Sequence, residues 1–312
     1  MSPSSFRTAD GVELAGLTLR PTGPAKAAVA MVHGFGEHVG RYAGLHRALL
    51  GAGCAIAAAD LRGFGRSPGL RGHIDGWDDY RADAAAIVAQ AAALAPDRPL
   101  FLFGHSMGGL IVLDHALHRP EGLAGVIASG PALVPAGPRR PLLELAARVL
   151  SRVAPRLGTE LGLDPAGISS VPAEVEAYRS DPLVHGRATM RWGAEILRTM
   201  AETLARAGDF PRPLLLLHGA DDPINAPEGS RAFHEACGHP DRALRLYPGC
   251  RHEVHHDIES KRFERDLQRW IAERSQRSAV PEPAMRRARP VAPRAAAGDD
   301  DPESAPLGGA AS

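Results

Sequence analysis

Short apolar runs punctuate the chain: Ala27–Val32, Cys54–Ala59, Leu100–Phe103, Gly125–Ala128, Leu214–Leu217 and, broken by Arg245, Ala243–Tyr247. Runs of this length, flanked by glycine, proline or aspartate, predict strands buried on both faces. Longer segments between them carry helical spacing: Tyr42–Leu50, Trp77–Leu94, Met107–His118, Ala226–Cys237 and Asp257–Glu273. Asp75 and Asp257 stand where the N-caps of the second and last of these are expected. Phe6–Leu19 alternates polar and apolar residues around Asp10-Gly11, which predicts a hairpin. Alternating strands and helices, with the strands wholly apolar, imply a mostly parallel central sheet flanked by helices: an α/β fold.

One interval breaks the rhythm. From about 133 to 207 there are several Pro and Gly breaks and amphipathic pieces such as Leu142–Leu150 and Met190–Leu204, but no apolar strand. The expected organisation is therefore a core part at 1–132, an inserted helical cap at 133–207, a second core part at 208–274, and a tail at 275–312. The tail is built from Pro, Ala, Arg and Gly with an acidic patch at Asp299–Asp301, has little to bury, and is expected to be disordered.

Composition narrows the class of function. Lys plus Arg and Asp plus Glu are equal at 36 each, so no net field attracts nucleic acid, and no nucleic-acid partner is expected. Three cysteines in 312 residues fit a reducing compartment better than a disulfide framework. The first residues lack a signal-peptide profile, and no apolar run approaches the roughly 20 residues that cross a bilayer. The expectation is a cytoplasmic protein, with peripheral membrane contact through the cap left open.

The stretch Gly104-His105-Ser106-Met107-Gly108 follows a buried strand and opens an apolar helix. That is the setting of a nucleophile elbow, a turn so tight that the flanking positions must lack bulky side chains. Ser106 is the expected nucleophile. An oxyanion hole needs two backbone donors. Met107, just after the serine, supplies one, and Phe35 in His33-Gly34-Phe35-Gly36 supplies the other. The acid should follow a late strand, where Asp221 and Asp222 compete; Pro223 favours an extended Asp222, the preferred choice. Asp60 precedes the serine and reads as a turn former.

Arg251-His252-Glu253-Val254-His255-His256 contains a full HExxH string, the core of a zinc-protease helix. Pro248-Gly249 lies just upstream, so His252 falls too early for a formed helix, and Glu259 occupies the place of the glycine in the longer zinc motif. His252 is thus expected to be the general base of a triad, Glu253 incidental, and no metal or organic cofactor is expected. A catalytically inert binding protein of the same fold is the alternative from another class.

Taken together, HGFGEH, DLRGFGRSPG, GHSMGG, YRSDPL at Tyr178–Leu183, HGADDPIN and YPGCRHEVHH resemble, in that order, the monoacylglycerol lipases and related lysophospholipases. These are serine hydrolases of the α/β-hydrolase fold, and the resemblance spans about residues 5–273. It implies a Ser106–His252–Asp222 triad, Phe35 and Met107 amides as oxyanion donors, and a lipid ester with one acyl chain as substrate. It also implies contacts to the polar head from Glu37, Arg41 and His255. Lysophospholipase or a broader carboxylesterase is the alternative activity. The sequence departs from the family at Phe35, where a small residue is common, at Glu253, and in an Arg- and Ala-rich cap. Leu142, Leu145, Leu150 and Trp192 are the expected lining of the acyl chain.

Overall fold

The computed structural model describes residues 2–137 and 148–278. Ten strands are present among them: β1 Ser2–Arg7, β2 Glu13–Leu19, β3 Ala27–Val32, β4 Cys54–Ala59, β5 Leu100–His105, β6 Leu123–Ser129, β7 Gly158–Glu160, β8 Arg187–Thr189, β9 Leu214–Gly219 and β10 Arg242–Tyr247. Eight form one sheet in the order β1-β2-β4-β3-β5-β6-β9-β10. β1 and β2 are an antiparallel hairpin and β2 runs antiparallel to β4; the remaining neighbours are parallel.

Every residue of β3, β4, β5 and β9 is buried, the glycine and histidine that end β5 and β9 included, as expected where helices cover both faces. Strand alternation divides the core in two. Ala28, Ala30 and Val32 of β3 pack with Tyr80 and Ile87 of α2 (Asp78–Leu94) and with α3 (Met107–His118). Val29 and Met31 of the same strand face Leu45 and Leu49 of α1 (Ala43–Gly51), together with Phe263, Leu267 and Trp270 of the last helix.

Between β6 and β9 the described residues add no strand to the main sheet. It holds α4 (Pro172–Ser180), α5 (Met190–Ala205) and a small antiparallel pair, β7 with β8. The pair was not expected in a helical insertion; its strands, GTE and RAT, are too short to show an apolar period. α5 is capped by the Thr189 side chain, which accepts from the Trp192 N–H, and buries Trp192, Ile196 and Met200. Leu142 and Leu145 lie outside the described residues. α6 (Pro227–Ala236) links β9 to β10, and α7 (Ser260–Ser278) closes the described chain.

Helix boundaries near the acidic residues and the tail differ from expectation. α2 starts without a side-chain cap at Trp77, and Asp75 instead donates its N–H to the Asp79 carboxylate at 2.8 Å. The Asp257 carboxylate is drawn inward, accepting from the N–H of Arg251 at 2.7 Å and of Ser170 at 3.1 Å, so α7 begins three residues later. α7 also runs through Ser278, into the segment expected to be tail; the rest of that segment lies outside the described residues.

Candidate active site

β5 ends at His105 and α3 begins at Met107, leaving Ser106 alone at the turn with φ 55° and ψ −118°. A non-glycine residue rarely adopts this conformation, and here the surroundings impose it. The Ser106 N–H donates to the Ser129 carbonyl at 2.8 Å, while its carbonyl accepts from Leu110 and Ala132. The flanking glycines are required by close backbone approach: a Cβ on Gly104 would lie 2.1 Å from the Gly108 carbonyl, and one on Gly108 would lie 2.3 Å from that of Val32. Met107 is buried at the first position of α3, where backbone N–H groups have no acceptor within the helix.

Ser106 and His252 line one cavity of about 40 Å³, with Gly34, Phe35, Glu37, His105, Tyr178 and Glu253. Leu163, Asp164, Pro165 and Ile168, from the segment between β6 and β9, complete the enclosure with Ile224. Neither Leu150 nor Trp192 is part of this lining. Trp192 is instead buried against the Phe35 ring, with centroids 4.4 Å apart.

Behind the cavity, His252 Nδ1 and Asp222 Oδ2 are 2.7 Å apart and both side chains are buried. Of the two competing aspartates, Asp221 is exposed and Asp222 is the one that meets the histidine. Asp222 Oδ1 accepts the N–H groups of Ile224 at 2.8 Å and Asn225 at 3.0 Å, which fixes the carboxylate plane. Burial alone would raise its pKa. The charge of His252 and hydrogen bonds from His218 and His252 outweigh burial and hold the carboxyl well below its usual range. The same balance acts on His252: burial favours the neutral ring, but the charge and hydrogen bond of Asp222, with Glu253 and Glu37 behind, raise it above the ordinary 6.5.

Sequence reasoning missed His218. Its Nε2 lies 3.1 Å from Asp222 Oδ2 and its Nδ1 lies 2.8 Å from Ser230 Oγ, entirely buried. Its signal was present in HGADD as a histidine four residues before the aspartate at a strand end.

The residues expected around a polar head fall into two groups. Glu37 lines the cavity, but Arg41 and His255 do not. Arg41 is held between Glu37 and Glu253, with its guanidinium 4.8 Å from the Tyr178 ring centre. His255 is buried, stacked on Tyr42 at 5.0 Å, and neither ring nitrogen meets a hydrogen-bond partner among the described residues. Burial drives it strongly to the neutral form. The helical zinc motif does not form: 254–256 is a single tight turn and α7 starts beyond it. His256 is engaged at both ring nitrogens, with Glu253 Oε2 at 2.7 Å and the Arg41 carbonyl at 2.9 Å. Glu253, expected to be incidental, is buried and central to this arrangement.

The strand order, and a serine at the turn from the central β5 into α3, define an α/β-hydrolase. The family model for serine aminopeptidase S33 hydrolases matches residues 23–259. The monoacylglycerol lipase of Mycolicibacterium smegmatis is 33% identical over 271 residues, covering 86% of this chain and 96% of that one. Human monoglyceride lipase is 32% identical over 282 residues, covering 88% and 92%. Among solved structures, the Paleococcus ferrophilus monoacylglycerol lipase superposes with a TM-score of 0.78 at 35% identity, covering 84% of this chain and 99% of its own. A soluble variant of the Saccharomyces cerevisiae monoglyceride lipase, in complex with a substrate analogue, gives 0.77 at 27% identity, covering 88% and 96%. The chain belongs to the monoacylglycerol lipase family of serine ester hydrolases.

Proposed function

We propose that this protein hydrolyses monoacylglycerols through Ser106, His252 and Asp222. The observation that carries the reading is a buried His252–Asp222 pair opening on the same cavity as a serine in the strained elbow conformation. With its Nδ1–H donated in a hydrogen bond to the Asp222 carboxylate, neutral His252 keeps a lone pair on Nε2. His252 takes the Ser106 proton as Oγ attacks the ester carbonyl. The N–H groups of Phe35 and Met107 hold the oxyanion. The ester C–O bond then breaks as His252 returns the proton to the leaving glycerol. Water attacks the acyl-serine in turn, with His252 again taking the proton and passing it to Ser106.

The segment between β6 and β9 acts in this reading as the cap over the site. Its outer surface also supports peripheral contact with a membrane. Val149, Val153, Leu157, Leu161 and Leu163 are each at least 39% exposed, and exposed Arg148, Arg152 and Arg156 interleave with the first three. An apolar stripe fringed by arginines is suited to the boundary between lipid headgroups and chains.

Ser106→Ala tests the reading. Turnover of a monoacylglycerol should fall by on the order of 10⁴-fold with the thermal transition unchanged. A rate panel of monoacylglycerols, lysophospholipids and p-nitrophenyl esters decides the substrate; faster lysophospholipid turnover would overturn the glyceride assignment.

A further inference from the structure

Glu253 directly follows His252, and its carboxylate anchors a chain of ionic hydrogen bonds that crosses the site. Its Oε2 accepts from Arg41 Nη2 at 2.6 Å. Arg41 Nε reaches Glu37 Oε2 at 3.3 Å. The other oxygen of Glu37, Oε1, accepts from the Gly34 N–H and from the Tyr42 hydroxyl, both at 2.6 Å. Gly34 immediately precedes Phe35. The chain therefore runs from the residue after His252 to the residue before Phe35. These residues sit on loops after β10 and β3, which are separated in the sheet by β5, β6 and β9.

The energetics argue that this arrangement serves geometry. The Arg41, Glu37 and Glu253 side chains are 5%, 3% and 3% exposed. Removing three ions from water costs several kcal/mol each, and apolar replacements of such groups are often as stable or more so. Directional, charge-assisted bonds nevertheless fix the distance between the loops they join. The bonds also engage Nε and Nη2 of Arg41 and both oxygens of Glu37 within the protein, and Arg41 is not part of the cavity lining.

We propose that Glu253, Arg41 and Glu37 are positioning residues that lock the His252 loop to the Phe35 loop, and that they are not receptors for the alcohol portion of the ester. The inference rests on the triad reading above. It differs from that reading in giving these residues a task independent of what the leaving group is.

A second consequence concerns charge. His252 is faced by Asp222 from the loop after β9, Glu37 from the loop after β3, and His105 from the end of β5, its ring centre 4.7 Å away. Asp164 stands across the cavity, and Glu253 and His255 flank His252 on its own loop. Glu253 stays ionised because His256 and Arg41 offset its burial and hold its pKa at about 2. Its negative charge favours the imidazolium that forms in each half-reaction, and its removal eases proton loss from His252.

The experiment compares Glu253→Gln, Glu37→Gln and the double variant on a monoacylglycerol and on the p-nitrophenyl ester of the same acid. The expected result is a fall in kcat of about 10- to 100-fold on both esters alike, with KM within about twofold. The double variant should lose little more than the worse single one, because both substitutions break one chain. The acid limb of kcat/KM should move to lower pH in Glu253→Gln. A loss confined to the monoacylglycerol would overturn the proposal and make these residues head-group receptors; wild-type kcat on both esters would also overturn it. If Glu253→Gln does not fold, Arg41→Lys keeps the charge without bridging both carboxylates, and the same comparison applies. Undiminished turnover by Ser106→Ala would instead sink the triad, a separate outcome.

Discussion

His218 and His252 both address one oxygen of Asp222, at 3.1 and 2.7 Å, while its other oxygen takes two backbone N–H groups. A carboxylate with four donors is fixed in place and charged, and so it sets the tautomer and raises the proton affinity of His252. A general base works when neutral. Because His252 is raised above 6.5, the acid limb of kcat/KM should lie above that pH, activity falling as pH drops through it. Asp222→Asn should lower kcat by on the order of 10⁴-fold and move the limb downward. A pH–rate profile of both proteins checks this; a limb left in place would detach Asp222 from His252.

Arg41 neutralises two buried carboxylates at once. Arg41→Met should destabilise the fold by about 3–5 kcal/mol, since the partners stay behind without their cation. Urea unfolding measures it. A midpoint unchanged from wild type would mean that water reaches Glu37 and Glu253.

Treatment with a strong chelator should leave ester turnover unaltered. The only group of metal-ligand side chains close enough together among the described residues is Glu253, His255 and His256, within 4.8 Å of one another. It omits His252, and the Arg41 guanidinium bound to Glu253 repels a cation there. Loss of activity on chelation, restored by zinc, would bring back the protease interpretation of HExxH.

Val153 is 74% exposed on the outer face of the segment over the site. Val153→Asp should reduce sedimentation with anionic phospholipid vesicles while p-nitrophenyl ester turnover in solution stays at the wild-type rate. Equal sedimentation of the two proteins would remove this face as the membrane contact.

What the sequence made legible follows from where the physics is local. β3 and β4 are unbroken apolar runs bounded by turn residues, and Ser106 is flanked by glycines between a strand and a helix; both patterns are written in consecutive residues. β5 was expected to end at Phe103 because Gly104 and His105 do not read as strand, yet their backbone continues the pairing to β6. β7 and β8 escaped notice because strands of three residues are too short to carry a period. The role of Glu253 was hidden for another reason. Its partners Arg41 and Glu37 lie near the opposite end of the chain, and only the fold brings them together, so HExxH offered a spelling without a neighbourhood. His255 and Arg41 failed as cavity residues on the same ground: family position fixes a residue's place in the chain, whereas packing decides which way its side chain is turned.

Leu163, Asp164, Pro165, Ile168 and Tyr178, which line the cavity beside Ser106, all come from the stretch between β6 and β9, so the site takes part of its wall from outside the main sheet. Sequence change in that stretch would reshape the seat of the substrate while leaving β5, β9 and β10, the strands that lead to Ser106, Asp222 and His252, as they are.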